Sequence, residues 1–383
     1  EFLYAYMPMG DYADYDGELF LSGVRSAIKT REEVAWGKDI PEEVFRHFVL
    51  PIRANNEHLD SSRTVFYREL IDKVKNLSAE EAALEVNRWC HTKVTYRPSD
   101  SRTSSPLASM RTAHGRCGEE SVFAVAAMRA VGIPARQVYT PRWAHTDDNH
   151  AWIEVWTPDG TWKYMGACEP EPKLNMGWFS DPVQRGMLMH TKAFGRYNGK
   201  EEFISSSACF TEVNSTENYA PTAVAKVVVK NSDGAVVEGA NVMFGIYNYA
   251  EFYSCVRRTT DANGEATAVT GCGDLHAYAV KDGIFGDAKI SVSRDTLVEV
   301  VLAHREGDIF AQEMDIVPPV GGTRTVTVTD EERTRNNAGL DAENKIRSDY
   351  EATFMSEEAA RQLAAELLLD GDKVAFFIRE SRG

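Results

Sequence analysis

Cys117, His150 and Glu169 are the side chains through which this sequence could do chemistry. A thiol attacks only as thiolate, so it needs a lowered pKa and a base nearby. Cys117 stands where a helix is predicted to begin, and the N–H groups and dipole of a helix start favour negative charge. Gly115 and Gly118 beside it would let a substrate carbonyl approach the backbone. Glu119 and Glu120, in the same first turn, oppose this unless they point away. Taken alone, Cys117 also suits an inert buried thiol. His150 is remote in sequence, so the fold must bring it to the thiol. A histidine at a strand edge beside a nucleophile helix can serve as general base, then as acid to the leaving amine. Glu169, next to Pro170, is the candidate for the group that orients the imidazole, and Glu171 is its rival. As isolated acids both also suit a solvated surface.

These residues need elements to position them. Val122–Val131 is apolar on most of its surface apart from Arg129, which predicts a central helix stopped by Gly132 and Pro134. Ala135–Thr140 and His150–Thr157 read as strands, Pro158-Asp159-Gly160 as a turn, and Thr161–Met165 as a return strand. The alternation puts His150, Trp152, Glu154 and Trp156 on one strand face. Upstream, residues 17–90 read as mainly helical. Pro41-Glu42-Glu43 marks one helix start, and Ser78-Ala79-Glu80-Glu81 resembles a capping box. Residues 96–116 are polar and predict a long loop.

The stretches Gly115-Arg116-Cys117-Gly118-Glu119-Glu120-Ser121, Ala130–Arg136 and Asn149–Trp156, with Trp162 beyond, resemble the core of the transglutaminase-like superfamily. The resemblance covers about residues 85–175. It implies a papain-like α+β core with Cys117 as nucleophile and His150 as base. The family's third residue is Asp, usually as Asp-Pro; here Glu169-Pro170 takes that place, and Gly166 falls at the shorter spacing some members use. The implied chemistry is thiol-dependent amide hydrolysis through a thioester on Cys117. The substrate would be a peptide, protein or glycopeptide, and no cofactor is needed. Protein-glutamine crosslinking is the alternative, as is a non-catalytic binding or scaffold protein on a degenerate core. The strip Gly166–Phe179 resembles extended bacterial members, which implies a secreted, periplasmic or cell-surface location.

Downstream, the period switches to two. Val224–Val229, Asn241–Tyr247, Ala266–Val269, His276–Val280, Ala288–Val292 and Thr296–Leu302 predict an antiparallel β-sandwich that resembles carboxypeptidase-regulatory-like or immunoglobulin-like modules. Thr323–Thr329 alternates like a strand, Glu331–Asn344 is polar, Ser356–Leu369 reads as a helix with Leu363, Leu367 and Leu368 on one side, and Lys373–Ile378 as a strand. The expected domains are 1–84, a helical extension; 85–215, the catalytic core; 216–304, the sandwich; and 305–383, an α/β segment that reads as part of a larger domain. The chain opens Glu1-Phe2-Leu3 without Met or a signal pattern, which suggests a processed form or an expressed piece.

Other function classes fit less well. With 42 Lys+Arg against 58 Asp+Glu, the net charge is −16, and no basic cluster suits nucleic acid. No apolar run approaches the roughly 18 residues of a membrane span. Six scattered cysteines without a CxxC pair speak against a structural zinc site; Cys255 and Cys272 suit either a bridge or two free thiols. His145 and His150 lack a third metal ligand by spacing. Asp11, Asp14 and Asp16 fail the calcium-loop pattern, because Tyr12 would fall at its first position. Trp152, Trp156, Trp162 and Trp178 suit either a core or the wall of a carbohydrate or peptide cleft.

Overall fold

The computed structural model describes residues 1–98, 102–322 and 326–381. The chain forms two units, each built from separated segments. The first comprises Glu1–Gln137, Trp152–Gly177 and Val326–Gly383, the second Val138–Ala151 and Trp178–Thr325. Among the described residues no helix is long and apolar enough to cross a membrane.

The first unit surrounds one helix, Cys117–Ala130, in which every residue from Gly118 to Ala130 is buried. The helices Gly17–Glu33, Ser62–Val74 and Ala79–Lys93 share its core. Phe123 stacks on Trp89 at 5.6 Å and meets Phe66 edge-on at 5.0 Å. Asp16 caps the first of these helices through the Glu18 N–H, and Ser78 and Glu81 form the predicted capping box at the third. Gly132, at φ +78°, closes the central helix in a conformation that suits glycine, and the Ile133 N–H reaches back to the Met128 carbonyl at 3.0 Å.

The expected strands Ala135–Thr140, His150–Thr157 and Thr161–Met165 have the predicted limits. Within the first unit the last two pair antiparallel, Ile153 opposite Met165 and Trp156 opposite Trp162. The alternation suggested one special face, but all eight residues of His150–Thr157 are buried. Glu154 tolerates this because Arg136 reaches it, Nε to Oε2 at 2.6 Å, with both side chains sealed from solvent. The Arg136 guanidinium also lies 4.0 Å from the Trp162 ring centre.

Several elements differ from expectation. The loop predicted at 96–116 contains a helix, Pro106–Thr112, capped by Ser105, and Thr95–Tyr96 pairs parallel with His114–Gly115; residues 99–101 lie outside the described part. The polar Glu331–Asn344 stretch belongs to a helix, Asp330–Glu351, opened by a Thr329–Glu332 capping box. Lys373–Ile378 is not a strand but part of the helix Gly371–Ser381, since a short apolar run carries no period that separates the two. That helix packs on Glu357–Glu366 through Ala360, Ala364 and Ala375, small residues that allow close approach, while Leu363, Leu367 and Leu368 stay exposed. Of Thr323–Thr329, residues 323–325 lie outside the described part and 326–329 form no strand, so the described C-terminal segment from 326 is helical rather than α/β.

In the second unit, one sheet of the sandwich orders Glu251–Thr259, Asn241–Asn248, Asp274–Lys281, Ile284–Ser291 and His304–Arg305. The other orders Glu265–Gly271, Thr222–Asn231 and Val298–Leu302, the last pairing parallel with its neighbour. Val227, Val242, Phe244, Leu275 and Ile290 are among the residues of the shared core. The turn at Gly264 needs glycine twice over: φ is +72°, and a Cβ would stand 2.8 Å from the Val229 carbonyl oxygen. The strand Glu251–Thr259 was not expected, nor were His190–Phe194, Phe203–Ser206 and Phe210–Asn214, which pair with one another antiparallel. None of the six cysteines is in a disulfide among the described residues.

The Arg136–Glu154 pair yields a stability prediction. Glu154→Ala leaves a buried guanidinium without its carboxylate and should cost about 3–5 kcal/mol in urea unfolding, whereas Arg136→Met with Glu154→Leu should cost far less.

Candidate active site

Cys117 is the first residue of the central helix and is half-buried, at the one end of that helix that reaches solvent. The acids that could have opposed a thiolate are both accounted for. Glu119 turns back from the helix, its carboxylate accepting the Arg116 N–H at 3.1 Å and the Ser104 N–H at 3.0 Å. Glu120 is buried, and its Oε1 has no hydrogen-bond partner among the described residues. Burial, and then the charge of Glu169, hold the Glu120 carboxyl well above the ordinary carboxylate range. The flanking glycines do not leave the backbone open as the sequence suggested. A Cβ on Gly118 would stand 2.3 Å from the Arg116 Nη1, and one on Gly115 2.8 Å from the Glu119 Cβ. Gly118 therefore leaves room for the Arg116 guanidinium, whose Nη2 donates to the Thr103 hydroxyl at 3.0 Å and the Arg102 carbonyl at 3.1 Å.

Glu169 belongs to the same unit and is half-buried on the turn after the strand Thr161–Met165. The turn is held in buried surroundings. Asn87 donates to the Gly166 carbonyl at 2.9 Å and accepts the Cys168 N–H at 2.9 Å. His91 meets the Cys168 carbonyl at 2.8 Å, and Asn336 donates to the Pro170 carbonyl at 3.2 Å. Cys168 takes φ +59°, and its thiol reaches the Glu120 carbonyl at 3.9 Å, which ties the turn to the first turn of the cysteine helix. The Glu169 side chain folds back over Gly166: a Cβ at residue 166 would lie 2.3 Å from Glu169 Oε2. The carboxylate of residue 169 thus fills the space that a side chain at 166 would occupy. Glu171 is also half-buried, and burial raises its carboxyl, with Arg333 acting against the shift.

His150 belongs to the second unit, as the first residue of a strand that continues into the first from Trp152. It is buried, with Trp178 4.8 Å and Phe179 5.0 Å from its ring centre. Burial pulls its pKa down to about 4, so the ring is neutral at neutral pH and can accept a proton. Of the four tryptophans singled out, Trp152 and Trp156 are buried and Trp162 is half-buried, whereas Trp178 is exposed beside this imidazole. Sequence reasoning missed Asn87, His91 and Asn336. Asn87 had one visible signal, a polar residue among the apolar positions Ala83, Val86 and Cys90 of its helix.

Glu120 gives a pH test with a definite sign. Its folded pKa lies above the ordinary 4.5, so the folded state keeps a proton that the unfolded chain loses. Its contribution is present below pH 4.5 and is lost as pH rises through the folded pKa. Glu120→Gln should flatten that loss, seen as a smaller difference between urea midpoints at pH 5 and pH 8 than in the wild type.

Residues 67–167 match the family model for the transglutaminase-like superfamily. No curated protein matches the chain. Among solved structures, it is similar to a candidate cysteine protease from Cytophaga hutchinsonii, with 20% identity and a TM-score of 0.25 over 44% of this chain and 48% of that one. A candidate protease from Parabacteroides distasonis is 14% identical with a TM-score of 0.26, over 45% of this chain and 29% of that one. The transglutaminase of red sea bream is 10% identical with a TM-score of 0.28, over 61% of this chain and 59% of that one. The chain spans less than two thirds of each of those proteins. Residues 67–167 of this chain are thus similar to the core of the transglutaminase-like superfamily, a match that supports cysteine-based hydrolase or transferase chemistry in general.

Proposed function

We propose that the protein is a thiol-dependent amide hydrolase in which Cys117 is the nucleophile, His150 the general base and acid, and Glu169 the orienting carboxylate. The observation that carries this reading is the fit between Glu169 and Gly166. The family's carboxylate has no counterpart at 166, and the Glu169 carboxylate occupies the space left there. A neutral His150 takes the Cys117 proton as sulfur attacks the amide carbonyl carbon. The tetrahedral oxyanion collapses, His150 returns the proton to the leaving amine, and a thioester remains. Water then adds with His150 as base, and carboxylic acid and thiol are regenerated. Water ranks ahead of an amine acceptor because it is always available. The substrate class is a peptide, protein or glycopeptide amide.

Two measurements test this. A peptidyl vinyl sulfone should add once to the native protein by intact mass, and Cys117→Ala should abolish the adduct. Equal labelling of that variant, or labelling of wild type only after denaturation, would refute the nucleophile. Glu169→Gln should lower labelling and turnover by about 10²–10⁴ with folding intact. Gly166→Asp combined with Glu169→Gly should recover part of what Glu169→Gly alone loses. If Glu171→Gln is the damaging change and Glu169→Gln is silent, the role passes to Glu171.

A further inference from the structure

The outer face of the five-stranded sheet carries a row of rings that the chemistry at Cys117 does not use. Tyr247 lies 5.4 Å from Phe252, Phe252 4.1 Å from His276, His276 6.5 Å from Tyr278 and Tyr278 5.6 Å from Phe285. The row continues to His304 at 5.7 Å and Phe310 at a further 4.1 Å. It crosses all five strands, roughly 19 Å at about 4.8 Å per strand spacing. The strand register explains it. On Asp274–Lys281, Leu275, Ala277 and Ala279 enter the core, so His276 and Tyr278 point outward. Gly245 stands opposite His276 and carries no side chain, so Phe252 from the edge strand can lie on the imidazole with their planes 23° apart. Large aromatics seldom collect on a solvent face without a ligand.

The row is also walled. Gln312, Met314 and Ile316, from the irregular segment after the last strand, face Tyr247, Phe252 and Asp287 across a groove of about 410 Å³, within the size range of small-molecule sites. The groove's one carboxylate is hydrogen-bonded, because Asp287 Oδ2 meets His276 Nε2 at 2.8 Å. Its chemistry is therefore ring faces, one amide and one carboxylate held by an imidazole. The two rings that line the groove, Tyr247 and Phe252, stand 5.4 Å apart with their planes 58° apart, so they offer two inclined ring faces rather than a cage around a point charge.

We propose that this groove binds a neutral oligosaccharide. The polarised C–H faces of pyranose rings stack on the negative faces of the aromatic rings, and Gln312 and Asp287 hydrogen-bond the hydroxyls. The elongated row suits a chain of sugars, and a lining with one carboxylate and no lysine or arginine disfavours an acidic one. The test is calorimetric titration of the full chain with cellohexaose, xylohexaose, maltohexaose and chitohexaose. At least one should bind, and Phe252→Ala and Tyr247→Ala should each weaken it about tenfold or more while labelling of Cys117 is unchanged. Both side chains are exposed, and Gln312→Ala, also exposed, serves as a third variant if either change disturbs folding. No binding of any of the four at millimolar concentration would overturn the assignment. So would binding that all folded variants retain, or a groove that takes a decaproline peptide and none of the sugars.

Discussion

A helix buried on every side has to be covered on every side, and this requirement organises the first unit. Gly118–Ala130 has no solvent face, so helices and strands must close around it, and only its first residue reaches the surface. The nucleophile candidate occupies that opening. The same burial traps Arg129, which the chain accommodates by giving its guanidinium the carbonyls of Pro51, Arg53 and Ala135. Arg63 lies close by on the carbonyls of Val49 and Pro51, and burial draws the two guanidinium pKa values down to about 10 and about 9. Two buried cations thus fasten the irregular 49–53 stretch, which has too few backbone partners of its own.

The acids around the helix start are separated by environment. Glu119 is spent on two backbone N–H groups, burial and its neighbour raise the Glu120 carboxyl, and Glu169 sits over a glycine. Three carboxyl groups close together would ordinarily repel a thiolate. Here one is bonded away, and burial disfavours the charged form of another. The turn that carries it is fastened from behind by amides and an imidazole on two helices, so its position depends on residues that touch no substrate.

What could be read in advance follows from the range of the interactions. The strands 135–140, 150–157 and 161–165 and the Ser78 capping box are local signals, set by alternation, turn residues and cap chemistry, and they were legible. The places of Cys117 and His150, at the starts of a helix and a strand, were legible for the same reason. The Gly166–Glu169 complementarity was not, since it depends on a side chain folding back on its own turn. Asn336 was invisible because it reaches Pro170 from 166 residues away. The edge strand Glu251–Thr259 was hidden by its exposed polar and charged positions, and the terminal helices by apolar runs too short to show a period.

The first unit is interrupted by the second along the chain, and its last segment begins only at Val326. On the ribosome, the cysteine helix and the Glu169 turn are made well before Asn336, Glu343 and Arg347, which contact Pro170, Arg88 and His91. The whole β-sandwich is synthesised in between. Because domains form largely in the order in which they emerge, the sandwich can fold while the thiol-bearing unit still lacks its final helix. The thiol is therefore made early but gains its full setting late, so a nascent chain carries Cys117 before it carries the complete support of the Glu169 turn.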